Sequence, residues 1–429
     1  MKRAIGLVLL AVLIAGVAWG AVVSQRESAY RHAVEQGDAA LARDDSHAAI
    51  EAFSVAIGHR DDSMAAHLKR GEAYRRRGEY DAALRDLRKA ADIDPLAVHP
   101  RELLGDVHYA VAAADGARAA SFGEAATRYR ESVALDDRAP RLQYKLGLAL
   151  YRSGQLAEAV ESLRQTIALE PGMAEAHYAL GLCHRARREP EEASRAMERA
   201  VALAPALLPA REELADLYAS LRRHDARVDH LEALAALQPS AARERVLALG
   251  YARAGHLDRA IAQLGRAARR YPQDPDIYVT LGRLWLDRAG DGGRVELNKA
   301  LEALQSGNEG ESTSEALTLL GRALLLAGDA VRAEPILRQA TLRFPVAPTA
   351  FLYLSEAARR RGQDTLARRA LLDYAALVPA GSLDATTLAR VGEAHLAAGA
   401  AGPARRAVEA ALARDPQNAH ALALAARLR

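Results

Sequence analysis

One feature of this 429-residue chain constrains its fold more than any other: a small residue that returns at a nearly constant interval. Most successive members of this column lie 34 residues apart, and the column runs through almost the whole chain. A repeat of that length predicts short structural units that pack mainly against their neighbours. The column consists of Gly37, Gly71, Gly105, Gly147, Gly181, Ala215, Ala248, Gly282, Gly321, Ser355 and Gly392.

Three further columns keep the same register and predict a pair of helices in each repeat. An alanine follows most of the small residues after twelve positions, where two helices would approach closely: Ala49, Ala83, Ala159, Ala193, Ala260, Ala333, Ala367 and Ala404. A bulky apolar side chain recurs in the second helix: Phe53, Leu87, Leu163, Leu231, Leu264, Leu337 and Leu371. A proline, which cannot continue a helix, closes the unit: Pro95, Pro171, Pro205, Pro239, Pro272, Pro345, Pro379 and Pro416.

Together these columns resemble the tetratricopeptide repeat (TPR) family, from about Tyr30 to the C-terminus, and in particular its bacterial membrane-anchored or extracytoplasmic members. The resemblance implies an all-α fold, a right-handed superhelical solenoid of about eleven repeats. The apolar N-terminal segment described below is expected to precede it as one transmembrane or signal-anchor helix. In TPR proteins the first helices of successive repeats line a concave groove that accepts extended peptides or partner helices. We therefore expect partner binding in that groove.

Two interruptions of the period divide the predicted array. About eight extra residues lie in the repeat that begins at Gly105, and a polar, glycine-containing stretch, a candidate hinge, begins near Gly290. A closing helix is expected at the end because the last repeat would otherwise expose its apolar face. The predicted segments are about eight repeats over 30–305 with an insertion near 110–121, a polar linker over 306–314, about three repeats over 315–417, and a C-terminal capping helix over 418–429.

The segment 1–23 is predicted to be a transmembrane anchor or a signal peptide, joined to the repeats by a short linker over 24–29. Its apolar run over 4–23 has no charge, is apolar on all faces, and is long enough to span a bilayer. The preceding Lys2 and Arg3 favour a cytoplasmic N-terminus. This predicts a single-pass inner-membrane protein with its repeats in the periplasm, or a secreted periplasmic protein if the chain is cleaved after small residues such as Gly20.

Composition limits the possible partners. The net charge is only +3, with 58 basic and 55 acidic residues mixed through the repeats, so we expect no nucleic-acid partner. The lone Cys183 excludes an internal disulfide and is expected to be buried as a small hydrophobe. Five histidines in first helices are expected to be amphipathic fillers in place of larger apolar side chains: His67, His108, His177, His184 and His395.

The sequence offers no motif for chemistry. The glycines over 290–293 have no Gly-Lys-Ser/Thr after them, and no two histidines have the four-residue spacing of a helical metal site. Cys183 and His184 are neighbours, so on a helix they point about 100° apart and cannot act as nucleophile and base. We therefore predict no catalytic residue, no cofactor, no metal and no enzymatic activity.

A mixture of aromatic side chains and arginines, typical of binding hot spots, marks one candidate groove surface. An equally weighted alternative is that the tyrosines only cover seams between repeats while the arginines keep the surface soluble. The later part of the groove is expected to be basic, through Arg322, Arg359 and Arg360. The candidate partner-binding residues are Arg141, Tyr144, Leu148, Tyr151, Arg152, Tyr178, Leu182 and Arg185.

These observations predict a noncatalytic scaffold that binds protein or peptide partners during envelope assembly, secretion or polysaccharide export. Two alternatives stay open. A periplasmic chaperone would hold many exported polypeptides weakly, where a scaffold would hold one partner. An enzyme with an unrecognised site would show turnover.

Overall fold

The structure is a computed structural model of the chain. Within the described residues it contains 23 α-helices and no strand. The expected all-helical repeat fold is therefore confirmed, whereas the handedness of the solenoid stays a prediction. Side chains are described from residue 13 onward, outside 115–121, 291–292 and 309–311. The described backbone covers residues 2–114, 119–290, 293–308 and 312–429.

The first compact unit, Met1–Leu217, is a stack of helix pairs. Each odd-numbered helix packs against the even-numbered helix that follows it, and that helix packs against the next pair. The first helices of neighbouring pairs also touch, as α3 does α5 and α7 does α9. The helices are α1 (Lys2–Ala42), α2 (Ser46–His59), α3 (Met64–Arg76), α4 (Tyr80–Ile93), α5 (Val98–Ala114), α6 (Ala119–Leu135), α7 (Pro140–Arg152), α8 (Leu156–Leu169), α9 (Ala174–Ala186) and α10 (Pro190–Leu203).

The second compact unit, Tyr218–Arg429, repeats this arrangement, and helix α11 (Leu208–Ser220) contains the boundary. A short 3-10 helix, Ala380–Ser382, precedes α21. The helices are α12 (His224–Leu237), α13 (Ala241–Arg253), α14 (Leu257–Arg270), α15 (Pro275–Ala289), α16 (Arg294–Ser306), α17 (Ser314–Leu326), α18 (Ala330–Ala340), α19 (Pro348–Arg360), α20 (Asp364–Leu377), α21 (Ala385–Ala397), α22 (Ala401–Arg414) and α23 (Ala419–Arg427).

The column of small residues lies where the two helices of a pair touch. A Cβ atom added to Gly71 would come within 2.8 Å of Leu87 Cγ, and one added to Gly147 would come within 2.7 Å of Leu163 Cγ. Both leucines are fully buried. The same overlap would occur between Gly37 and the ring of Phe53. The interpretation of these columns as packing positions is confirmed, so none of them is a candidate functional residue.

Prolines mark the ends of the second helices, as the sequence predicts. Pro95, for example, lies two residues beyond Ile93, the last residue of α4. Pro345 differs because α18 already ends at Ala340, which leaves a longer connection before α19.

A further column, which the sequence did not predict, lies seven residues after the small one, where the chain turns between the helices of a pair. The backbone there has a positive φ, a conformation that glycine adopts without a Cβ penalty. Glycine therefore recurs in this column, although a few repeats place another residue there. The members are Asp44, Gly78, Gly154, Arg188, Arg222, Gly255, Gly328, Gly362 and Gly399.

The first interruption of the period lengthens both helices of one pair. Helices α5 and α6 have 17 residues each, whereas α3 has 13 and α4 has 14. The predicted insertion near 110–121 thus includes the end of α5 and the start of α6, although 115–118 lie outside the described residues.

The second interruption lies inside the second unit. Within the predicted linker over 306–314, Ser306 ends α16 and Ser314 begins α17, while 309–311 lie outside the described residues. The compact units divide at Leu217 and Tyr218 instead. The division of the repeats at this linker stays a prediction.

Helix α1 joins the N-terminal apolar run to the first repeat without a break. The segment 24–29, expected to be a linker, is helical. In the part of the chain with described side chains, no helix is both long and apolar enough to cross a membrane. The side chains of residues 1–12 lie outside that part. The predicted anchor falls partly on these residues and stays a prediction.

Candidate functional site

The predicted binding residues of the first unit lie on two first helices that touch each other. Helix α7 carries Arg141, Tyr144, Leu148, Tyr151 and Arg152, and helix α9 carries Tyr178, Leu182 and Arg185. The three tyrosines and two leucines are half-buried, whereas the three arginines are exposed. We call this surface the α7–α9 patch. The structure brings all eight predicted residues to one pair of neighbouring helices.

The tyrosines of the patch influence one another. Burial raises the pKa of the Tyr144 hydroxyl, and the nearby Glu175, Tyr109 and Tyr178 raise it further. Burial also raises the pKa of Tyr178, with Tyr151 adding to the effect. These two hydroxyl groups therefore stay protonated at neutral pH and can donate as well as accept a hydrogen bond.

The arginines of the patch are held by the chain itself. Arg141 Nε lies 3.7 Å from Glu102 Oε1, and Arg185 pairs with Glu213. The guanidinium of Arg152 lies over the ring of Phe122, 5.1 Å from its centroid. Each arginine therefore has an internal contact and stays exposed beside the half-buried rings.

A half-buried polar network that the sequence did not predict lies beside the patch. Lys145 Nζ contacts Glu102 Oε1 at 2.6 Å and Asp106 Oδ1 at 2.7 Å. The hydroxyl of Tyr129 donates to Asp106 Oδ1 at 2.7 Å. Lys145, one of the chain's few lysines, was the signal that could have revealed it. The network joins α5, α6 and α7 and fixes the helix that carries most of the patch.

The Glu102 carboxylate predicts a pH dependence of stability. Its partners His99 and Lys145 lower its pKa from 4.5 to about 2. A lowered pKa in the folded state contributes stability that is complete above about pH 4.5 and is lost as the pH falls towards 2.

We expect the E102Q variant, measured by urea unfolding at about pH 6 and about pH 3, to lose less stability on acidification than the unchanged protein. Equal losses in the two proteins would show that this carboxylate does not link folding to pH.

Two buried histidines among the five that were expected to be amphipathic fillers have carboxylate partners. His67 Nδ1 lies 3.0 Å from the buried Asp86 carboxylate, and His184 Nδ1 lies 2.7 Å from Glu189. Both histidines are buried in hydrogen-bonded positions. The expected burial of Cys183 is confirmed, and burial raises the pKa of its thiol to about 12. Among the described residues, no group of three metal-ligating side chains is close enough to hold an ion.

The later part of the predicted groove is less basic than expected, because Arg359 and Arg360 both pair with Glu356. Arg322 instead lines a cleft of about 900 Å³ in the second unit, together with residues of α13, α15, α17, α19 and the connection before α19. This cleft was not predicted from the sequence. The adjacent Arg343 and Phe344, placed between two helices, were its only visible signal.

The repeat pattern is shared with known proteins. A tetratricopeptide repeat model matches residues 34–98, 111–164, 144–207 and 318–384, which together make up more than half of the chain. The chain belongs to the tetratricopeptide repeat family. A second TPR model matches residues 242–284. TPR solenoids are typically noncatalytic and present extended surfaces to other proteins, so membership supports a protein-interaction scaffold.

Several solved structures are similar to parts of this chain, with low sequence identity and low TM-scores. PilF of Pseudomonas aeruginosa is 22% identical, with 53% of this chain and 99% of that chain covered and a TM-score of 0.39. MamA of Desulfovibrio magneticus RS-1 is 23% identical, with 41% and 97% covered and a TM-score of 0.37. Yeast Tom70 is 14% identical, with 87% and 96% covered and a TM-score of 0.39. No curated protein matches the chain in sequence.

Proposed function

We propose that this TPR protein is a noncatalytic scaffold that binds a partner polypeptide through the α7–α9 patch, during envelope assembly, secretion or polysaccharide export. The row of half-buried rings at Tyr144, Tyr151 and Tyr178 is the observation that carries the proposal. Aromatic side chains with one side packed and one side accessible are the usual anchors of protein interfaces. They offer a large contact area at a small cost in conformational entropy.

The surroundings of the rings support this role. Tyr144, Leu148 and Tyr151 pack against the buried core of the first unit, which restricts their motion before a partner arrives. A surface that is ordered in advance loses less entropy on binding. The internal contacts of the arginines keep their charges beside the aromatic surface, where a partner's polar groups would meet them.

The same proposal attaches the chain to the inner membrane through residues 4–23, with the repeats on the periplasmic side. The support is the uncharged apolar sequence of this segment, together with the exposure of its described side chains. Leu13 is 64% exposed and Trp19 is 72% exposed, so the repeats do not cover them. Cleavage, which would release the repeats into the periplasm, stays an alternative.

The test is capture of partners from membranes of the native organism, with the bound proteins identified by mass spectrometry. We expect one dominant, saturable partner for the full-length protein. The triple variant Y144A/Y151A/Y178A should retain its helicity and lose at least about tenfold in affinity for that partner, because it removes three aromatic anchors. Unchanged capture by the variant would contradict the role of the patch.

The matched control is Y80A/Y271A/Y374A, which removes three half-buried tyrosines that lie outside α7 and α9. It should capture the partner as the unchanged protein does. A form that lacks residues 1–23 should keep the partner but lose the membrane fraction. Capture of many unrelated exported polypeptides, each weakly, would favour the chaperone alternative.

A further inference from the structure

The cleft in the second unit is built from the same kind of surface as the α7–α9 patch, namely the exposed sides of first helices. Helices α13, α15, α17 and α19 contribute to it, and the connection before α19 forms part of its wall. Its apolar lining includes the half-buried Val279, Leu319 and Tyr353. The lining thus offers apolar contacts over several successive repeats, as an extended polypeptide would require.

The wall of the cleft is held in place by a buried hydroxyl group. Ser314 Oγ donates to the carbonyl oxygen of Ala340 at 2.8 Å and accepts from the backbone N–H of Ala347 at 2.9 Å. Ser314 is 2% exposed. Because both ends of the connection are tied to α17, Arg343 and Phe344 between them are held at the cleft.

Phe344 is unusual for this chain. Phe53 and Phe122 are fully buried, whereas Phe344 is 95% exposed. An exposed phenyl ring beside a partly apolar cleft is more typical of a binding surface than of a folded interior.

The charges of the cleft are not balanced. It is lined by Arg245, Arg283, Arg322 and Arg343, and by the acidic residues Asp276 and Glu315. Both carboxylates already form ion pairs: Asp276 pairs with Arg245, and Glu315 pairs with Arg283. Within the described part of the chain, Arg322 and Arg343 have no acidic partner. Among the described side chains, the guanidinium groups of Arg322 and Arg343 therefore line the cleft without a carboxylate partner.

We propose that this cleft binds an acidic, extended segment of a polypeptide partner, with carboxylates on Arg322 and Arg343 and an apolar side chain against Phe344. Guanidinium groups bind carboxylates with two parallel hydrogen bonds, so the unpaired arginines favour acidic over neutral segments. The inference rests on the proposed scaffold function and adds the chemistry of what a second surface recognises.

The experiment uses the full-length protein and a fluorescein-labelled peptide of about 12 residues, built from repeated Glu-Leu-Asp-Phe. Its fluorescence anisotropy should report binding that weakens as salt is added. A control peptide with Gln and Asn in place of Glu and Asp should bind at least about tenfold more weakly. Equal binding of the two peptides, or no binding of either at up to about 1 mM protein, would overturn the inference.

The variant R322Q/R343Q should raise the Kd of the acidic peptide by at least about tenfold, because it removes both unpaired charges. The matched control R269Q/R369Q changes the net charge equally at exposed arginines outside the cleft and should leave the Kd within about twofold. A loss of the same size in both variants would mean that net charge alone attracts the peptide.

The occupant could also be a second copy of this chain. Sedimentation of the unchanged protein and of R322Q/R343Q decides this, since a dimer that only the unchanged protein forms would overturn the peptide proposal. The tyrosine variant of the α7–α9 patch separates the two proposals. This variant should still bind the acidic peptide but should no longer capture the partner. Either proposal can therefore fail without the other.

Discussion

Replacement of Asp86 by alanine is expected to lower the free energy of unfolding by about 3 kcal/mol. The Asp86 carboxylate joins the two helices of one repeat. Its Oδ2 accepts from Arg70 Nε at 2.6 Å, and its Oδ1 accepts from Arg70 Nη2 at 2.8 Å. His67 Nδ1 lies 3.0 Å from Oδ1. Since the Asp86 side chain is only 7% exposed, its removal leaves a guanidinium and an imidazole without their buried partner.

Urea unfolding followed by circular dichroism measures this loss, and hydrogen exchange of α3 and α4 localises it, because repeat arrays open unit by unit. D86N should cost less than D86A, since an amide keeps one acceptor oxygen. The matched control is D92A, an exposed aspartate on the same helix, with an expected change within about 0.5 kcal/mol. If D86A costs no more than D92A, the network does not hold this repeat together.

The register of the packing was predictable because it depends on side-chain volume alone. A glycine in the first helix leaves room for a bulky residue at a fixed distance along the chain, as with Gly37 and Phe53. The two helices of every repeat approach each other at the same contact, so the pattern of small and bulky residues recurs and can be recognised. Helices α5 and α6 are longer than those of the preceding repeat, so the period changes in their repeat. The contact between the small residue and the bulky one is nevertheless kept, here between Gly105 and Tyr129.

The polar contacts could not be predicted in the same way. Asp86 reaches Arg70 across 16 positions, and Lys145 reaches Asp106 across 39, through a repeat of unusual length. These two contacts have different separations and depend on side-chain rotamers, so the packing columns do not reveal them. From the sequence, His67 and His184 could therefore be identified only as amphipathic fillers, and their carboxylate partners are visible only in the structure.

The same distinction applies to the two candidate surfaces: the repeat register locates one of them and not the other. Tyr144, Tyr151 and Tyr178 could be located because the register assigns them to first helices, and their role stays a proposal. The cleft in the second unit could not be located, since it depends on where α18 ends. That helix has 11 residues, and the connection after it exposes Phe344. From hydropathy alone, the Phe344 ring would be predicted to be buried.

The contact between Gly321 and Leu337 gives the most stringent test of the packing register. Leu337 is fully buried, so L337A is expected to lower the free energy of unfolding by about 3 kcal/mol through lost burial and a residual cavity. A Cβ added to Gly321 would overlap the Leu337 side chain. G321A alone should therefore cost about 1 to 3 kcal/mol, despite the higher helix propensity of alanine.

The double variant G321A/L337A should be more stable than the sum of the two losses predicts, by about 1 to 2 kcal/mol. The added methyl group enters the space that the leucine vacates, so the overlap disappears and the cavity shrinks. The matched control is G265A, a glycine inside α14 whose added Cβ would have no neighbour within 4 Å, paired with L337A. That pair should be additive within about 0.5 kcal/mol. Additivity at 321 and 337 as well would mean that the small column does not serve the close approach of the two helices, and the assignment of every repeat would lose its physical basis.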